Sequence, residues 1–247
     1  MPLPLRYLPP RWPWTVLTLA AIGAFLWLGS WQYQRGLARA EQWRQFDAPG
    51  AVQEADAARI AALPRWSRVR VQGQWQGQRH FLLDNISEGG APGYQVLTVL
   101  RLNGGGELLV NRGWVPFSGY RDRLPEVTIG GGEAVAGDAA SGVQTLTGRL
   151  GALPVGGLAL GRQPPALDGP WPRLTSFPEH AELEAAWGGA LLPPVLLLDP
   201  DSADGYLRQW RPPGLQPARH FGYAAQWWMF AAAALVIYFV LNVKRIR

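Results

Sequence analysis

Residues 219–247 read RHFGYAAQWWMFAAAALVIYFVLNVKRIR. Within this stretch, residues 221–243 carry no charged side chain. A helix of these 23 residues is roughly 35 Å long, which is enough to cross a hydrocarbon core of about 30 Å. Apolar residues occupy every face after Met229, as is typical of a helix surrounded by lipid. The stretch therefore predicts a transmembrane helix near the C-terminus.

A second apolar run, residues 12–34, lies near the N-terminus and also lacks charged side chains. A secretory signal peptide is the alternative interpretation, because a basic start precedes the apolar run. The run is longer than the usual core of a signal peptide, and Trp27, Trp31 and Tyr33 stand where a cleavage site has small residues. We therefore predict a retained helix that continues out of the membrane towards Arg44.

The formal net charge of +5 comes entirely from the two ends of the chain. Arg6 and Arg11 precede the first apolar run, and Lys244, Arg245 and Arg247 follow the second. The region between the runs holds 18 arginines and 18 acidic residues, so it is neutral and offers no basic face to a nucleic acid. Short basic tails stay in the cytoplasm. We expect a bacterial inner-membrane protein with both termini cytoplasmic and a periplasmic central domain.

The central region has the alternation and the turn signals of a β-rich domain. Polar and apolar residues alternate in SRVRVQGQW (67–75), which is typical of a half-buried strand. A turn at 76–78 before RHFLLDN (79–85) favours a first hairpin, and NGGG (103–106) between two apolar runs favours a second. The further predicted elements are strands at 143–150 and 195–198, helices at 56–63 and 177–187, and a Gly- and Ala-rich loop at 130–142.

The expected fold class is a membrane protein in which two transmembrane helices flank an α+β extramembrane domain with a mainly antiparallel sheet. The predicted boundaries are a tail (1–13), a first membrane helix (14–34), the periplasmic domain (35–219), a second membrane helix (220–243) and a tail (244–247).

Catalytic motifs are absent from the sequence. It contains no G-x-S-x-G, no H-E-x-x-H, no P-loop and no cysteine. His80 and His180 have no partner at the spacing of metal ligands, so we expect both to be solvated. An enzyme is therefore not predicted.

Four motifs resemble those of one known family, the surfeit locus protein 1 family of membrane proteins, which assist the assembly of haem-copper cytochrome c oxidase. They occur in the order that the family has, and with the two helices they span nearly the whole chain. The motifs are LGSWQYQR (28–35), Gly93-Tyr94, VNRGWVP (110–116), and His220-Phe221-Gly222-Tyr223 followed by Trp227.

The resemblance implies that the chain binds haem a and delivers it to the catalytic subunit of the oxidase, with the bilayer and haem a synthase as further partners. His220 is then the candidate axial ligand of the haem iron, a role that suits an imidazole nitrogen. His220, Tyr223 and Trp227 have the spacing of one helical face, and Trp27 and Trp31 share a face of the first helix. We expect a porphyrin to lie between these faces, with Arg35, Arg112 or Arg219 pairing with its propionates.

Two alternatives remain open at this stage. His220 and Arg219 also suit interfacial anchors, and the tryptophans suit a lipid belt. Gly113 and Trp114 suit a purely structural role for VNRGWVP, since glycine permits close approach of the backbone. At the level of function, the alternative is a cofactor-free membrane scaffold that stabilises intermediates of oxidase assembly.

The predicted topology is tested with reporter fusions. Green fluorescent protein fused after Arg247 should fluoresce, because that end is expected in the cytoplasm. Alkaline phosphatase inserted within the loop at 130–142 should be active, because it folds only after export. The opposite pattern, a dark C-terminal fusion with an inactive loop insertion, would contradict the topology.

Overall fold

The computed structural model describes residues 5–7, 12–48, 50–121, 123–129, 142–154 and 161–245. It divides into two compact units. The first comprises Met1–Ala48 and Pro212–Arg247, and the second comprises Pro49–Arg211. The predicted loop at 130–142 lies, except for its last residue, outside the described residues.

Two long helices form the first unit. Helix α1 spans Trp12–Asp47 and α4 spans Pro217–Leu241. Both are long and apolar enough to cross a membrane. At about 1.5 Å per residue, the 36 residues of α1 extend roughly 54 Å, so its C-terminal part projects beyond a core of about 30 Å. Strands β1 (Leu5–Tyr7) and β9 (Val243–Arg245) pair antiparallel beyond the other ends of the helices.

A continuous seam joins α1 to α4. The less exposed positions of α1 recur every three or four residues, which is the spacing of a coiled-coil contact face. Along the seam, Thr15 Oγ1 lies 3.0 Å from the hydroxyl of Tyr238, so the two helices run antiparallel. The α1 positions of the seam are Thr15, Thr18, Ile22, Phe25, Gly29, Gln32 and Gly36.

Two glycines of α1 bring the helices close together. A Cβ atom at Gly29 would lie only 2.3 Å from the indole nitrogen of Trp228, and one at Gly36 would lie 2.5 Å from the ring of Phe221. From the α4 side, Ala224 and Ala231 are buried. Small residues opposite large rings allow the backbones to approach, as is common between membrane helices. The seam is thus filled by side chains of this chain itself.

The second unit is a sheet that closes on itself. Its elements are β2 (Gln53–Glu54), α2 (Ala57–Ala62), β3 (Arg68–Glu88), β4 (Ala91–Leu102), β5 (Glu107–Pro116), β6 (Gln144–Gly151), β7 (Arg173–Thr175), α3 (His180–Trp187) and β8 (Val195–Leu198). The strand order is β2-β3-β4-β5-β8-β6, and β6 pairs again with β3. Strands β3, β4, β5, β8 and β6 therefore form a closed barrel of mixed sheet. Among the described residues, the parallel pairs are β5–β8 within the barrel and β2–β3 and β3–β7 at its edge.

The barrel has separate hydrophobic clusters on its two faces. Alternate residues of the five barrel strands, including Val71, Leu100 and Leu108, pack with Ile60 of α2. Residues of the opposite strand face, including Phe81 and Leu97, pack beneath Leu183 and Trp187 of α3. The predicted fold class, two candidate membrane helices flanking a sheet-rich α+β domain, is confirmed. The closure of the sheet was not foreseen.

The first predicted hairpin is wrong. Residues 68–88 form one strand, since Trp75 and His80 pair in the same direction with Leu100 and Thr98 of β4. The register shift between these pairs is a bulge, in which Gly77 adopts a left-handed conformation (φ 66°). The turn-forming residues therefore produce a bulge within the strand, because the parts of β3 before and after them both pair with β4. The second predicted hairpin, β4 with β5, is confirmed.

A polar layer interrupts the core of the barrel. On β3, His80 lies between the cluster residues Trp75 and Leu82, and on β4 its partner Thr98 lies between Val96 and Leu100. His80 is 1% exposed and its Nδ1 lies 2.9 Å from Thr98 Oγ1. The expectation that His80 is solvated is therefore wrong. Burial, and then the charge of Arg112, lower the pKa of His80 to about 4.

His180 also departs from expectation. Its side chain is 30% exposed, and its Nε2 lies 2.9 Å from the carbonyl of Leu191. The ring thus contacts the segment that follows α3 and is only partly solvated.

Gly29 provides a test of the helix seam. Gly29→Leu should lower the melting temperature of the helices by several degrees, because overpacking at a contact typically costs about 1–3 kcal/mol. Gly23→Leu is the matched control, since a Cβ at Gly23 meets nothing within 4 Å. The measurement is thermal unfolding of the full chain in detergent, followed by helical circular dichroism. Equal melting temperatures for the two variants would show that Gly29 is not a contact position.

His80 provides a test of the polar layer. The unfolded chain protonates His80 near pH 6.5, whereas the folded chain resists protonation until about pH 4. The free energy of unfolding should therefore fall as the pH drops from about 6.5 to 4, by on the order of 3 kcal/mol from this residue. The variant His80→Gln should lack this component. We would measure denaturant unfolding of both proteins across the window, and parallel pH curves would contradict the assignment.

Candidate functional site

The candidate site is built around His220 in the first turns of α4. Pro217 begins this helix, as suits a residue whose missing N–H would have no helical partner. One turn later, the half-buried His220 faces Gln32 of α1, and its Nδ1 lies 2.9 Å from Gln32 Oε1. Within the described part of the chain, no hydrogen bond is formed by the second ring nitrogen, Nε2. One nitrogen of His220 is thus engaged by α1 and the other is free.

Aromatic rings continue the seam beyond this pair. Trp227 stacks on Phe25 with ring centroids 5.8 Å apart and an angle of 24° between the planes, and it meets the edge of Phe230 at 5.7 Å. On the other flank of the seam, Tyr33 contacts Phe221 and Trp228 at 5.6 and 5.9 Å. His220 and Trp227 consequently share one flank of the helix pair.

Trp27 and Trp31 are not brought to this flank. Each lies two residues from Gly29, hence about half a turn round α1 from the seam. Trp27 is 67% exposed and Trp31 is 45% exposed, and the guanidinium carbon of Arg35 lies 5.4 Å from the ring of Trp31. Both tryptophans occupy the face of α1 turned away from α4. This corrects the expectation that they face His220, Tyr223 and Trp227 across a gap.

Among the described residues of the helix pair, the close contacts at Gly29 and Gly36 leave no room there for a planar ligand. Gly29, Gly36 and the rings opposite them fill the space between α1 and α4. The exposed surface beside His220 lies on the outer flank of the pair, where Tyr223 is 42% exposed. Arg35 and Arg219 are both exposed and near the same end of the pair, so they are free to meet an anionic group there.

Arg112 serves the barrel instead. Its side chain is 1% exposed, its Nε donates to the carbonyl of Asp204 at 2.6 Å, and its Nη2 donates to that of Thr128 at 2.7 Å. The guanidinium also lies over the rings of Trp75 and Tyr206. Burial lowers the pKa of Arg112, but an arginine remains charged at neutral pH. We therefore assign Arg112 a structural role.

The VNRGWVP motif holds the segment that leads back towards α4. The amide of Tyr206 donates to the carbonyl of Arg112 at 2.7 Å, and Trp114 exchanges backbone hydrogen bonds with Leu207. Gly113 has a φ of 114°, and a Cβ there would lie 2.7 Å from the carbonyl oxygen of Leu207. A side chain at this position would therefore displace the returning segment.

The Gly93-Tyr94 motif has a related explanation. A Cβ atom at Gly93 would meet the indole of Trp114, whose Nε1 donates to the carbonyl of Ile86 at 3.2 Å. Tyr94 is 1% exposed and packs with Val96 and Val115. The two central motifs thus support each other inside the barrel.

The site offers one nitrogen that could form a single axial bond to a haem iron. One imidazole nitrogen is free at His220, and a haem needs only one histidine on a given face. Among the described residues, no group of three or more His, Cys, Asp or Glu side chains could hold a metal ion. The nitrogen Nε2 of His220 is thus the one donor that a haem iron would need on this face.

Sequence reasoning missed Gln32, which contacts His220, and Phe25, which stacks on Trp227. Gln32 and Phe25 both belong to the seam, at the same three- and four-residue spacing as Gly29 and Gly36. The spacing could have revealed Gln32 from the sequence. A glutamine three residues after one glycine and four before another lies on the same helical face as both, and is therefore a polar residue on a contact face.

Comparison with known proteins gives the family of the chain. The model of the SURF1 family matches residues 19–232, a range that includes the whole barrel, α1 from residue 19 onward and α4 as far as residue 232. No curated protein matches the chain. Because the matched range covers most of the sequence, the chain belongs to the SURF1 family.

Proposed function

We propose that this protein is an assembly factor for haem-copper cytochrome c oxidase that binds haem a on the outer flank of its helix pair and delivers it to the catalytic subunit. Family membership is consistent with a role in oxidase assembly, and the family is one of assembly factors rather than of known enzymes. Haem a is the cargo in this proposal, and haem a synthase is its source. The helices anchor the chain in the bacterial inner membrane, with both termini in the cytoplasm and the barrel in the periplasm.

The observation that carries the proposal is the state of His220. Its Nδ1 is held by Gln32 at 2.9 Å, and its Nε2 is free on the flank of the helix pair. A neutral imidazole with one engaged nitrogen is the usual form of a histidine ligand, because the engaged nitrogen fixes the orientation of the ring. Ionisable residues in membrane helices are rare and usually functional, which favours a role for His220 beyond packing.

The neighbouring side chains suit the rest of a haem. Trp227 and Tyr223 offer aromatic surface beside His220, and the stack of Trp227 on Phe25 holds its ring in place. Arg35 and Arg219 provide two exposed cations for the propionates. Trp31 contributes at most through its contact with Arg35, and Trp27 has no part in the proposed site.

One observation favours the cofactor-free scaffold as a second candidate. The seam between α1 and α4 is already filled, so the helix pair is complete without a ligand. In a scaffold, the exposed outer faces of the helices would contact oxidase subunits, and His220 with Gln32 would serve only as an interhelical hydrogen bond.

The proposal is tested by the absorption spectrum of the full chain, purified from membranes that make haem a. The wild type should carry or accept haem a, and His220→Ala should shift its Soret band and weaken binding by at least 10-fold. His180→Ala is the matched control, because it removes a histidine of the barrel and should leave the spectrum unchanged. Identical titrations of the wild type and His220→Ala would overturn ligation by His220. A colourless wild type that co-purifies with oxidase subunits would favour the scaffold.

A further inference from the structure

We infer that Gln32 is a positioning residue that fixes the tautomer of His220 and leaves Nε2 as the ligand nitrogen. The inference deepens the proposed function and rests on it for the identity of the ligand. It concerns a second helix of the chain, since Gln32 lies on α1 and His220 on α4.

The chemistry of the contact decides which nitrogen carries the proton. Gln32 Oε1 is a carbonyl oxygen and can only accept a hydrogen bond. At 2.9 Å, His220 Nδ1 must therefore donate, and a neutral imidazole protonated at Nδ1 has its lone pair on Nε2. In water, with no acceptor fixed beside it, the ring is free to exchange between the two tautomers.

The seam restricts Gln32 more than a surface position would. Gln32 is half-buried, three residues after Gly29 and four before Gly36, and both glycines are in close contact with rings of α4. The stack of Phe25 on Trp227 lies two turns away along the same flank. These contacts fix the distance between the helices, so the amide oxygen is held where Nδ1 can reach it.

The arrangement resembles the way in which proteins orient histidine ligands in general. A ligating histidine usually donates its other N–H to an oxygen acceptor, which fixes the ring and raises its basicity, and loss of that acceptor typically weakens metal binding about 10- to 100-fold. An interhelical hydrogen bond alone contributes little to the stability of a helix pair in a membrane. The contact of Gln32 with His220 therefore adds little to the stability of the protein, whereas it has a clear role in orienting a ligating histidine.

The first measurement needs no haem. The full chain is purified without cofactor in detergent, with nitrogen-15 in its three histidines, and the ring nitrogens of His220 are observed by NMR. In the wild type, Nδ1 should be protonated and Nε2 should not. In Gln32→Leu, protonation should shift towards Nε2, whereas Gln32→Glu should retain the wild-type tautomer because a carboxylate also accepts. Gln34→Leu, at an exposed position of the same helix, is the matched control and should change nothing.

The second measurement is haem affinity of the same variants. Gln32→Leu should bind haem a about 10- to 100-fold more weakly than the wild type, and Gln32→Glu should recover most of the loss. An unchanged tautomer in Gln32→Leu would overturn the inference whatever the haem data. A shifted tautomer with wild-type affinity, in a protein whose His220→Ala variant loses haem, would overturn the positioning role. If His220→Ala binds haem normally, the proposed function fails separately, because the tautomer is measured without haem.

Discussion

The close approach of α1 and α4 is the constraint on which the candidate site depends. It arises where Gly29 and Gly36 offer no side chain and Trp228 and Phe221 occupy the vacated space. The hydrophobic effect does not drive the association of two apolar helices in lipid, so close van der Waals packing of this kind must stabilise the pair. Once the backbones are this close, a glutamine side chain on one helix reaches a histidine on the other. Without the seam, His220 would be one more polar residue at a membrane interface.

The same closeness changes how a haem is expected to bind. Because the seam is filled at Gly29 and Gly36, the proposed function has haem bind at His220 on the flank of the pair, where Tyr223 is also exposed. Binding on an open flank leaves one side of a macrocycle uncovered by this chain. That geometry suits a protein that passes its cargo on, because a partner can approach the uncovered side.

In the barrel, a buried arginine is stabilised by contacts with residues distant in the sequence. Arg112 is buried and forms no ion pair within the described part of the chain. Its Nε and Nη2 donate to the carbonyls of Asp204 and Thr128, two aromatic rings lie against it, and its Nη1 has no hydrogen-bond partner there. Buried cations are costly unless hydrogen-bonded. The backbone of Arg112 also ties the segment around Tyr206 to β5, because its carbonyl accepts from the amide of Tyr206. VNRGWVP is thus best understood as a structural motif of the barrel.

The sequence by itself determined the two apolar helices, the β-rich character of the domain between them, the second hairpin and the position of His220. These follow from hydrophobic periods, charge placement and turn residues, all of which are local. Only the tertiary structure decided that the sheet closes through β6 and β3, that His80 and Arg112 are buried, that Trp27 and Trp31 face away from α4, and that Gln32 holds His220. Each of these depends on contacts between residues far apart in the chain, and a local pattern cannot determine which distant partner a residue meets.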